Sequence, residues 1–305
     1  MDSLAIPTPL RGIIPPMITP LLDRDNIDVP GLEKLVEHIL AGGVHGLFVL
    51  GTTGEAPSLS YKLRYELIER VCKLVSGRVP VLVGITDTSH IESIKIAEHS
   101  HRLGVSAVVL APPYYFPAGQ PELLEYLENL VPQLPLPVFL YNMPSCTKVI
   151  YEPATVVKAS QIPGIVGLKD SSGNMVYFNT LLSLMTHQKQ FSLLVGPEEL
   201  LAESLLLGGH GGVCGGANLF PKLYVDLYNA AVAGDLPTTR ELHRKVMWIS
   251  TTIYSTGQYS SSFLKGVKCT LNLMGICNDF IEVPFHSFRE QEKDKIRNYL
   301  KQITY

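Results

Sequence analysis

The feature that most constrains the fold of this chain is a series of eight short apolar runs, each followed by a stretch with helical periodicity. The runs are continuous rather than alternating, which is typical of parallel strands covered on both faces. Their starts advance at a spacing of about 30 residues, the length of one strand-and-helix unit. The runs span residues 12–19, 46–51, 79–85, 106–112, 137–142, 164–170, 191–196 and 211–216.

The stretches between the runs have the apolar spacing and the boundary residues of helices. Residues 29–43 end in a Gly-Gly pair, and Ser58 or Ser60 is placed to cap a helix over residues 61–77. Eight strand-and-helix units favour a closed barrel. An open, doubly wound sheet is the alternative, but its GxGxxG signal after the first strand is absent. We therefore predict an α/β fold, a (β/α)8 TIM barrel with a C-terminal helical extension.

The pattern changes after the eighth run. Residues 219–233 are predicted to form the last barrel helix, and residues 236–305 have only helical patterns, with breaks near 254–262 and at Val283–Pro284. No Pro-, Ser- or charge-rich linker precedes this tail, as a separate domain would require. We predict that residues 1–235 form the barrel and that the tail packs on it as an extension.

Composition excludes several classes of protein. Hydrophobic residues make up 46% of the 305-residue chain, and 25 basic side chains stand against 28 acidic ones. This balance offers no basic stripe for nucleic acid, and no apolar run approaches the roughly 18 residues of a membrane span. The N-terminus lacks the basic and apolar regions of a secretory signal. Five cysteines without a CxxC pair indicate reduced thiols, so we expect a cytoplasmic protein.

Polar residues follow several of the predicted strands, where a barrel places its active site. The sharpest is Lys169, at the end of the sixth apolar run. An amine with limited hydration loses its charge more easily, as a Schiff-base nucleophile must. The alternative is a lysine that leaves the barrel and reaches water.

Tyr141 and the pair Thr52-Thr53 end neighbouring runs. A phenol beside a cationic or iminium centre acts as a general acid or base, whereas a wall tyrosine merely hydrogen-bonds to backbone. The two threonines lie between glycines, and their hydroxyl and N–H groups suit a carboxylate. An ordinary capped turn is the alternative for that pair.

A metal site is poorly supported by the sequence. The nine histidines are scattered, and His99 and His101 are two residues apart on a predicted helix, so they face different ways. His210 lies in a Gly-rich turn and is expected to be structural. Glu198 and Glu199 either bind sugar hydroxyls or are first-turn acids favoured by a helix dipole.

Five motifs in register resemble the dihydrodipicolinate synthase / N-acetylneuraminate lyase family. They are GTTGE, PPYY, YNMPS, GLKDSSGN and GGHGG, in that order, and LKGVKCTLNLMG resembles the late helix of the family. The resemblance covers nearly the whole chain. It implies a pyruvate-dependent class I aldolase or synthase, a homotetramer built as a dimer of dimers, and no metal or organic cofactor beyond a covalent Schiff base.

The resemblance also implies roles for catalytic residues. Lys169 matches the Schiff-base lysine, and Tyr141 matches the general acid/base beside it. Thr52 and Thr53 match a pair in which one hydroxyl relays protons and the other, with backbone N–H groups, holds the carboxylate of pyruvate. Tyr115 matches a tyrosine that many members contribute to the relay of a neighbouring subunit.

Further positions match the substrate pocket. Gly196 and Val213 correspond to backbone positions that line the pyruvate site. The specificity for the second reactant is expected to depend on the loops around Cys146, Ser171, Glu198 and Gly215.

Two departures bear on the activity. Cys146 stands where the synthases of the family carry an arginine that binds the carboxylate of the second substrate. A thiol cannot form the two charge-assisted hydrogen bonds of a guanidinium. The sialic acid lyases usually have GSTGE where this chain has GTTGE, and Gly215 falls where they place a serine.

We expect an aldolase that releases pyruvate from a 2-oxo-3-deoxy sugar acid or a sialic-acid-like substrate. The alternatives are dihydrodipicolinate synthase, which condenses pyruvate with aspartate semialdehyde, and a non-catalytic 2-oxo-acid-binding protein. Binding alone requires neither Lys169 nor Tyr141, which argues against the last alternative.

Overall fold

A computed structural model describes residues 6–302 and shows an eight-stranded parallel sheet with the order β1-β10-β9-β8-β7-β6-β5-β4. A separate antiparallel hairpin, β2 and β3, precedes the first helix. The strands are β1 (Gly12–Ile13), β2 (Leu21–Asp23), β3 (Asn26–Ile27), β4 (Leu47–Val49), β5 (Val81–Gly84), β6 (Ala107–Leu110), β7 (Val138–Asn142), β8 (Ile165–Asp170), β9 (Ser192–Val195) and β10 (Gly211–Gly212).

The sheet closes on itself between the segment after β1 and strand β4. Pro16 forms a parallel bridge with Phe48. The N–H of Phe48 donates to the carbonyl of Pro15 at 3.0 Å, and the N–H of Met17 donates to the carbonyl of Phe48 at 2.8 Å. Each predicted apolar run contains one of the eight barrel strands, so the predicted (β/α)8 barrel is confirmed.

Helices connect the strands on the outside of the barrel. Short 3-10 turns lie at residues Ala56–Ser58, Val131–Gln133, Glu198–Leu200 and Gly215–Asn218. The helices are α1 (Val29–Ala41), α2 (Tyr61–Val75), α3 (His90–Arg102), α4 (Gln120–Leu130), α5 (Pro144–Thr147), α6 (Pro153–Ala159), α7 (Met175–Leu184), α8 (Leu201–Leu206), α9 (Pro221–Val232), α10 (Leu236–Thr252), α11 (Ser262–Leu273) and α12 (Glu290–Leu300).

Helix α2 shows how the sequence fixes these elements. The Ser60 side chain accepts a hydrogen bond from the N–H of Leu63 at 3.2 Å, which satisfies a free donor of the first turn. Leu63, Leu67 and Val71 recur every four residues and are fully buried. Burying each such side chain stabilises the fold by about 1.5–3 kcal/mol. Ser60, not Ser58, is therefore the cap.

The core has two layers, as the strand periodicity requires. Side chains that point away from the barrel axis pack under the helices. Those that point inward form a second cluster, which includes Phe48, Val109, Phe139 and Leu194. Tyr141 and Val213 belong to this inner cluster, so both lie inside the barrel.

Helices α10, α11 and α12 follow the last barrel helix, and the intervals between them fall at the predicted breaks. The hairpin β2–β3 was not predicted, because its strands of three and two residues are too short to give a pattern. Residues 1–5 and 303–305, which belong to the predicted barrel and extension, lie outside the described residues. Within 6–302, no helix is both long and apolar enough to cross a bilayer.

Candidate active site

The register of β7 and β8 places Tyr141 and Lys169 side by side. These two residues are directly paired across the parallel strands, and Lys169 is paired with Leu194 on its other side. Paired residues of neighbouring strands point to the same face, and Tyr141 and Leu194 belong to the inner cluster. The Lys169 side chain therefore points into the barrel.

Aromatic rings surround the Lys169 ammonium. Nζ lies 4.1 Å from the centroid of the Tyr141 ring and 5.2 Å from that of the Phe48 ring. Lys169 is only 6% exposed, and the two rings meet edge to face with their centroids 6.5 Å apart. Such contacts stabilise a cation by about 0.5–2 kcal/mol while limiting its hydration. The structure thus places Lys169 inside the mouth and excludes the reading in which it reaches bulk water.

Thr52 meets the phenol of Tyr141 from the opposite side of the barrel. Its Oγ1 lies 3.2 Å from the phenolic oxygen, and either group can donate. Lys169, Tyr141 and Thr52 thus form a contiguous set that comes from strands β8 and β7 and from the loop after β4. The amine lies against the face of the Tyr141 ring, and the phenolic oxygen contacts the Thr52 hydroxyl, with which it can exchange a proton.

The loop after β4 is a tight turn between two residues with left-handed backbone. Leu50 and Glu55 both have φ of +58°. This conformation costs roughly 1–2 kcal/mol for a residue with a Cβ atom, and such strain clusters at functional sites. Gly54 and Glu55 donate the hydrogen bonds of the turn, to the carbonyls of Gly51 and Thr52, both at 3.1 Å. Oγ1 of Thr52 thereby projects towards the barrel axis.

Thr53 is nearly buried, with 9% of its surface exposed. Within residues 6–302, neither its N–H nor that of Thr52 donates to another backbone group. Two adjacent free N–H groups and a hydroxyl are donors that suit an anionic oxygen.

A buried hydrogen bond fixes the ends of β7 and β8 next to the reactive side chains. The amide of Asn142 donates to Oδ1 of Asp170 at 2.8 Å, and both residues are almost fully buried. The N–H and the hydroxyl of Ser172 also donate to the Asp170 carboxylate, both at 3.0 Å. Burial raises the pKa of Asp170, and these hydrogen bonds offset part of that rise. These hydrogen bonds stabilise the strand register that pairs Tyr141 with Lys169.

A cavity of about 340 Å³ opens beside this group. Its hydroxyl-bearing lining residues include Thr52, Thr86, Tyr114 and Tyr141, and none of its lining residues is basic or acidic. Cys146 is exposed in its wall. The volume falls in the range of small-molecule sites.

Three of the predicted pocket residues, Ser171, Gly196 and Val213, directly follow strands β8, β9 and β10. The N–H of Gly196 donates to the carbonyl of Asp170 at 2.7 Å, and a Cβ atom at position 196 would lie 2.0 Å from Oγ of Ser171. A side chain at position 196 would therefore displace the hydroxyl of Ser171. Val213 is buried in the inner cluster, and its N–H donates to Val195 at 2.8 Å.

Glu198 lies in a different environment. Its carboxylate accepts hydrogen bonds from the hydroxyls of Tyr224 and Tyr254, both at 2.5 Å, and from the N–H of Gly216 at 2.8 Å. Burial raises the pKa of Glu198 to about 7, although these donors lower it in part. Glu198 is not among the residues that line the cavity. Two tyrosine hydroxyls and a backbone N–H thus occupy the carboxylate in this structure, and a contact of Glu198 with substrate hydroxyls stays a prediction.

Tyr115 lies outside the site of its own chain. Its side chain is 74% exposed, and its ring packs edge to face against Phe116, which is 79% exposed, at 5.1 Å. The structure does not bring Tyr115 to Tyr141 or Thr52.

Several residues that shape the site were not predicted from the sequence. The Phe48 ring packs against the Lys169 ammonium. Because Phe48 lies inside an apolar run, the sequence does not distinguish it from a core residue. Asn142 and Asp170 could have been found, because a polar residue at the end of a buried strand needs a partner. Among residues 6–302, no cluster of three or more His, Cys, Asp or Glu side chains could hold a metal ion.

Comparison with known proteins places these motifs in a family. Residues 9–303 match the profile described as the dihydrodipicolinate synthetase family. A 4-hydroxy-tetrahydrodipicolinate synthase of Methanocaldococcus jannaschii is 31% identical over 96% of this chain and 98% of its own length. A probable 2-dehydro-3-deoxy-D-pentonate aldolase of Escherichia coli K12 is also 31% identical, over 93% of this chain and 94% of its own.

Solved structures show the same barrel. A dihydrodipicolinate synthase from Bacteroides thetaiotaomicron is 57% identical, covers 98% of this chain and 100% of its own, and superposes with a TM-score of 0.95. A prophage protein of Escherichia coli K12, solved in complex with pyruvate, is 29% identical over 96% and 98% of the two chains, with a TM-score of 0.89. The chain therefore belongs to the dihydrodipicolinate synthetase family and is an enzyme of its lyase and aldolase class.

Proposed function

We propose that this protein is a Schiff-base lyase that cleaves a 2-oxo-3-deoxy sugar acid, or a sialic-acid-like substrate, to pyruvate and an aldehyde. The observation that carries the proposal is the set formed by Lys169, Tyr141 and Thr52, with the amine against the phenol and the phenol 3.2 Å from the hydroxyl. The pyruvate complex of the related prophage protein supports the choice of 2-oxo acid.

The proposed reaction begins when the neutral Lys169 amine attacks the 2-oxo carbon of the substrate. Loss of water gives an iminium, which accepts electrons far better than a ketone does. Tyr141, as the phenolate, accepts the proton of the 4-hydroxyl group. The C3–C4 electron pair moves to the iminium, so that the aldehyde leaves and an enamine remains on Lys169. Protonation at C3 and hydrolysis then release pyruvate and the free amine.

The carboxylate of the 2-oxo acid is assigned to the turn after β4. The N–H groups of Thr52 and Thr53 and the Thr53 hydroxyl are the donors, while the Thr52 hydroxyl passes protons to and from Tyr141. We assign Gly196 and Val213 to the wall of the pyruvate site, as the family resemblance implies, and Ser171 packs against Gly196. No metal or organic cofactor enters this scheme, because the iminium supplies the electron sink.

The character of the cavity supports a hydroxylated, uncharged aldehyde portion. Its lining offers several hydroxyl groups and no cationic side chain. Cys146 supplies only a weak donor at the position where the synthases carry an arginine. A carboxylate on the second reactant would lose hydration there without gaining a charged partner, which is unfavourable.

Dihydrodipicolinate synthase is the second candidate. A specific observation favours it, since the structure that is 57% identical over nearly the whole chain is described as a dihydrodipicolinate synthase. For this activity the same lysine would form the pyruvate enamine, which would then add to aspartate semialdehyde.

We also propose that the enzyme is a homotetramer, a dimer of dimers, in which Tyr115 completes the relay of a neighbouring subunit. Two adjacent aromatic side chains exposed by more than 70% support a subunit interface at this loop. All five cysteines are free, which supports a reducing compartment and hence the cytoplasm.

A pyruvate-release screen tests the substrate assignment. Lactate dehydrogenase coupling would report turnover of N-acetylneuraminate and of several 2-oxo-3-deoxy aldonic acids, beside a synthase assay with pyruvate and aspartate semialdehyde. We expect turnover of at least one sugar acid and weak synthase activity. Efficient synthase turnover at micromolar aspartate semialdehyde, with no release of pyruvate from any sugar acid, would favour the second candidate.

A further inference from the structure

A second cavity, of about 390 Å³, shares no lining residue with the cavity that contains Thr52 and Tyr141. It is formed by the loop between α10 and α11, the segment before α12 and the first turns of α12. Three of its lining side chains, Lys265, Arg289 and Lys295, are cationic, whereas Glu292 is the one carboxylate among them. The lining therefore carries an excess of two positive charges, before any contribution from His286.

Lys265 is the most informative of these residues. It lies in α11, and only 8% of its surface is exposed, although it lines the cavity. Within residues 6–302, its ammonium forms no ion pair and no side-chain hydrogen bond. The neighbouring Lys268, one turn further on, is fully buried and pairs with Glu55. Of these two lysines of α11, Lys268 thus has an acidic partner, supplied by the loop after β4, and Lys265 has none.

The stem of Lys265 is buried, whereas its Nζ is not among the buried polar atoms without a partner and so opens into the cavity that the residue lines. Unpaired cationic groups that line one cavity create a positive potential that attracts an anion. No acidic side chain of the described chain pairs with Arg289 or Lys295 either. The first turn of α12, an 11-residue helix, adds free N–H groups and the positive end of its dipole to the same cavity. A dissolved anion would supply the missing partner of Lys265.

We propose that this cavity binds a phosphate-type dianion, and specifically the phosphate group of a small phosphomonoester. A guanidinium, two ammonium groups and a helix N-terminus provide the directed donors that tetrahedral oxyanions prefer. The cavity is larger than a bare oxyanion requires and lies in the range of small-molecule sites. Phe288 provides an apolar wall for the organic part of the ligand. This site is independent of the proposed lyase chemistry.

The test measures binding and thermal stability of the full chain at constant ionic strength, with potassium chloride replaced by inorganic phosphate or by glycerol 3-phosphate. The variants are Lys265→Met and Arg289→Gln, and Lys189→Gln, an exposed lysine in a turn far from the cavity in sequence, is the control. We expect saturable binding and a raised melting temperature for the wild type and the control. Each cavity variant should bind phosphate about tenfold more weakly, because one charge-assisted hydrogen bond is lost.

A second readout separates ligand binding from a structural role. In phosphate-free buffer, Lys265→Met should be at least as stable as the wild type, since methionine keeps the packing of the buried stem and removes one of three cationic groups that line the cavity. Tighter binding of glycerol 3-phosphate than of inorganic phosphate would support the phosphomonoester. Equal phosphate binding by the wild type and both cavity variants would overturn the proposal. So would loss of phosphate binding in Thr53→Val alone, which would move the anion to the barrel mouth.

Discussion

Replacement of Tyr141 by phenylalanine removes one oxygen from the centre of the candidate active site. The ring keeps its packing inside the barrel and its contact with the Lys169 ammonium, whose Nζ lies 4.1 Å from the ring centroid. What is lost is the phenol that lies 3.2 Å from Oγ1 of Thr52. The variant therefore separates the chemistry of the hydroxyl from the packing of the ring.

The two consequences of this change differ in size. Loss of one partly buried hydrogen bond costs about 0.5–1.5 kcal/mol of folding free energy. Loss of a general acid/base group lowers turnover by about 10²–10⁴-fold. That range corresponds to roughly 2.7–5.4 kcal/mol in the activation barrier, at 1.36 kcal/mol for each factor of ten. The effect on catalysis should thus clearly exceed the effect on stability.

Three measurements would follow the variant: urea unfolding, borohydride trapping of pyruvate, and single-turnover release of pyruvate from the best sugar acid of the screen. We expect a folded protein that still forms the pyruvate adduct and loses turnover by at least a hundredfold. Tyr299→Phe, which removes a phenol from α12 outside the barrel, is the matched control and should keep full turnover. Turnover of Tyr141→Phe within threefold of the wild type, with chemistry rate-limiting, would refute the assigned role.

Three further changes test other parts of the account. Cys146→Arg should lower the KM for aspartate semialdehyde in the synthase assay by more than tenfold, because a guanidinium binds the carboxylate of that substrate with hydrogen bonds worth about 1.5–3 kcal/mol. An unchanged or higher KM would contradict the role assigned to position 146. His45 accepts a hydrogen bond from the N–H of Ile13 at 3.1 Å, and burial lowers its pKa below 6.5. Below about pH 6.5 the unfolded chain therefore binds more protons at this position than the folded chain does. The free energy of unfolding, measured by urea titration, should fall as the pH drops towards the folded-state pKa. In His45→Asn, this free energy should depend less steeply on pH. Glu55→Gln should lower the free energy of unfolding by about 3–5 kcal/mol, because it leaves the buried ammonium of Lys268 without its acidic partner. Adding Lys268→Met to the same chain should recover most of this loss. If the losses of the two single variants simply add in the double variant, the two residues do not interact.

The fold was predictable because its signal is repeated. Eight apolar runs and the helices between them report the same βα unit, so an error in one unit leaves the assignment intact. The hairpin β2–β3 occurs once, and its strands are too short for their sequence pattern to differ from that of a loop. Closure through Pro16 and Phe48 involves segments far apart in the sequence that no local pattern links.

The candidate site was predictable where chain position fixes direction. Lys169 and Tyr141 end neighbouring strands, so their proximity follows from the barrel itself. The environment of Glu198 was not predictable, because Tyr224 and Tyr254 reach it from helix α9 and from the residues after α10. The partner of Glu55 likewise lies in α11, more than two hundred residues away. Such contacts depend on how the extension docks, which local patterns do not encode.

The central claim is that Lys169 forms a Schiff base with pyruvate, and covalent trapping tests it most directly. The protein would be reduced with borohydride in the presence of pyruvate, digested, and mapped by peptide mass spectrometry, beside Lys169→Ala and the exposed-lysine control Lys189→Gln. We predict a single reduced adduct on the peptide that contains Lys169, present in the control and absent from a folded Lys169→Ala. A full-yield adduct in Lys169→Ala, or no adduct in the wild type, would contradict the account.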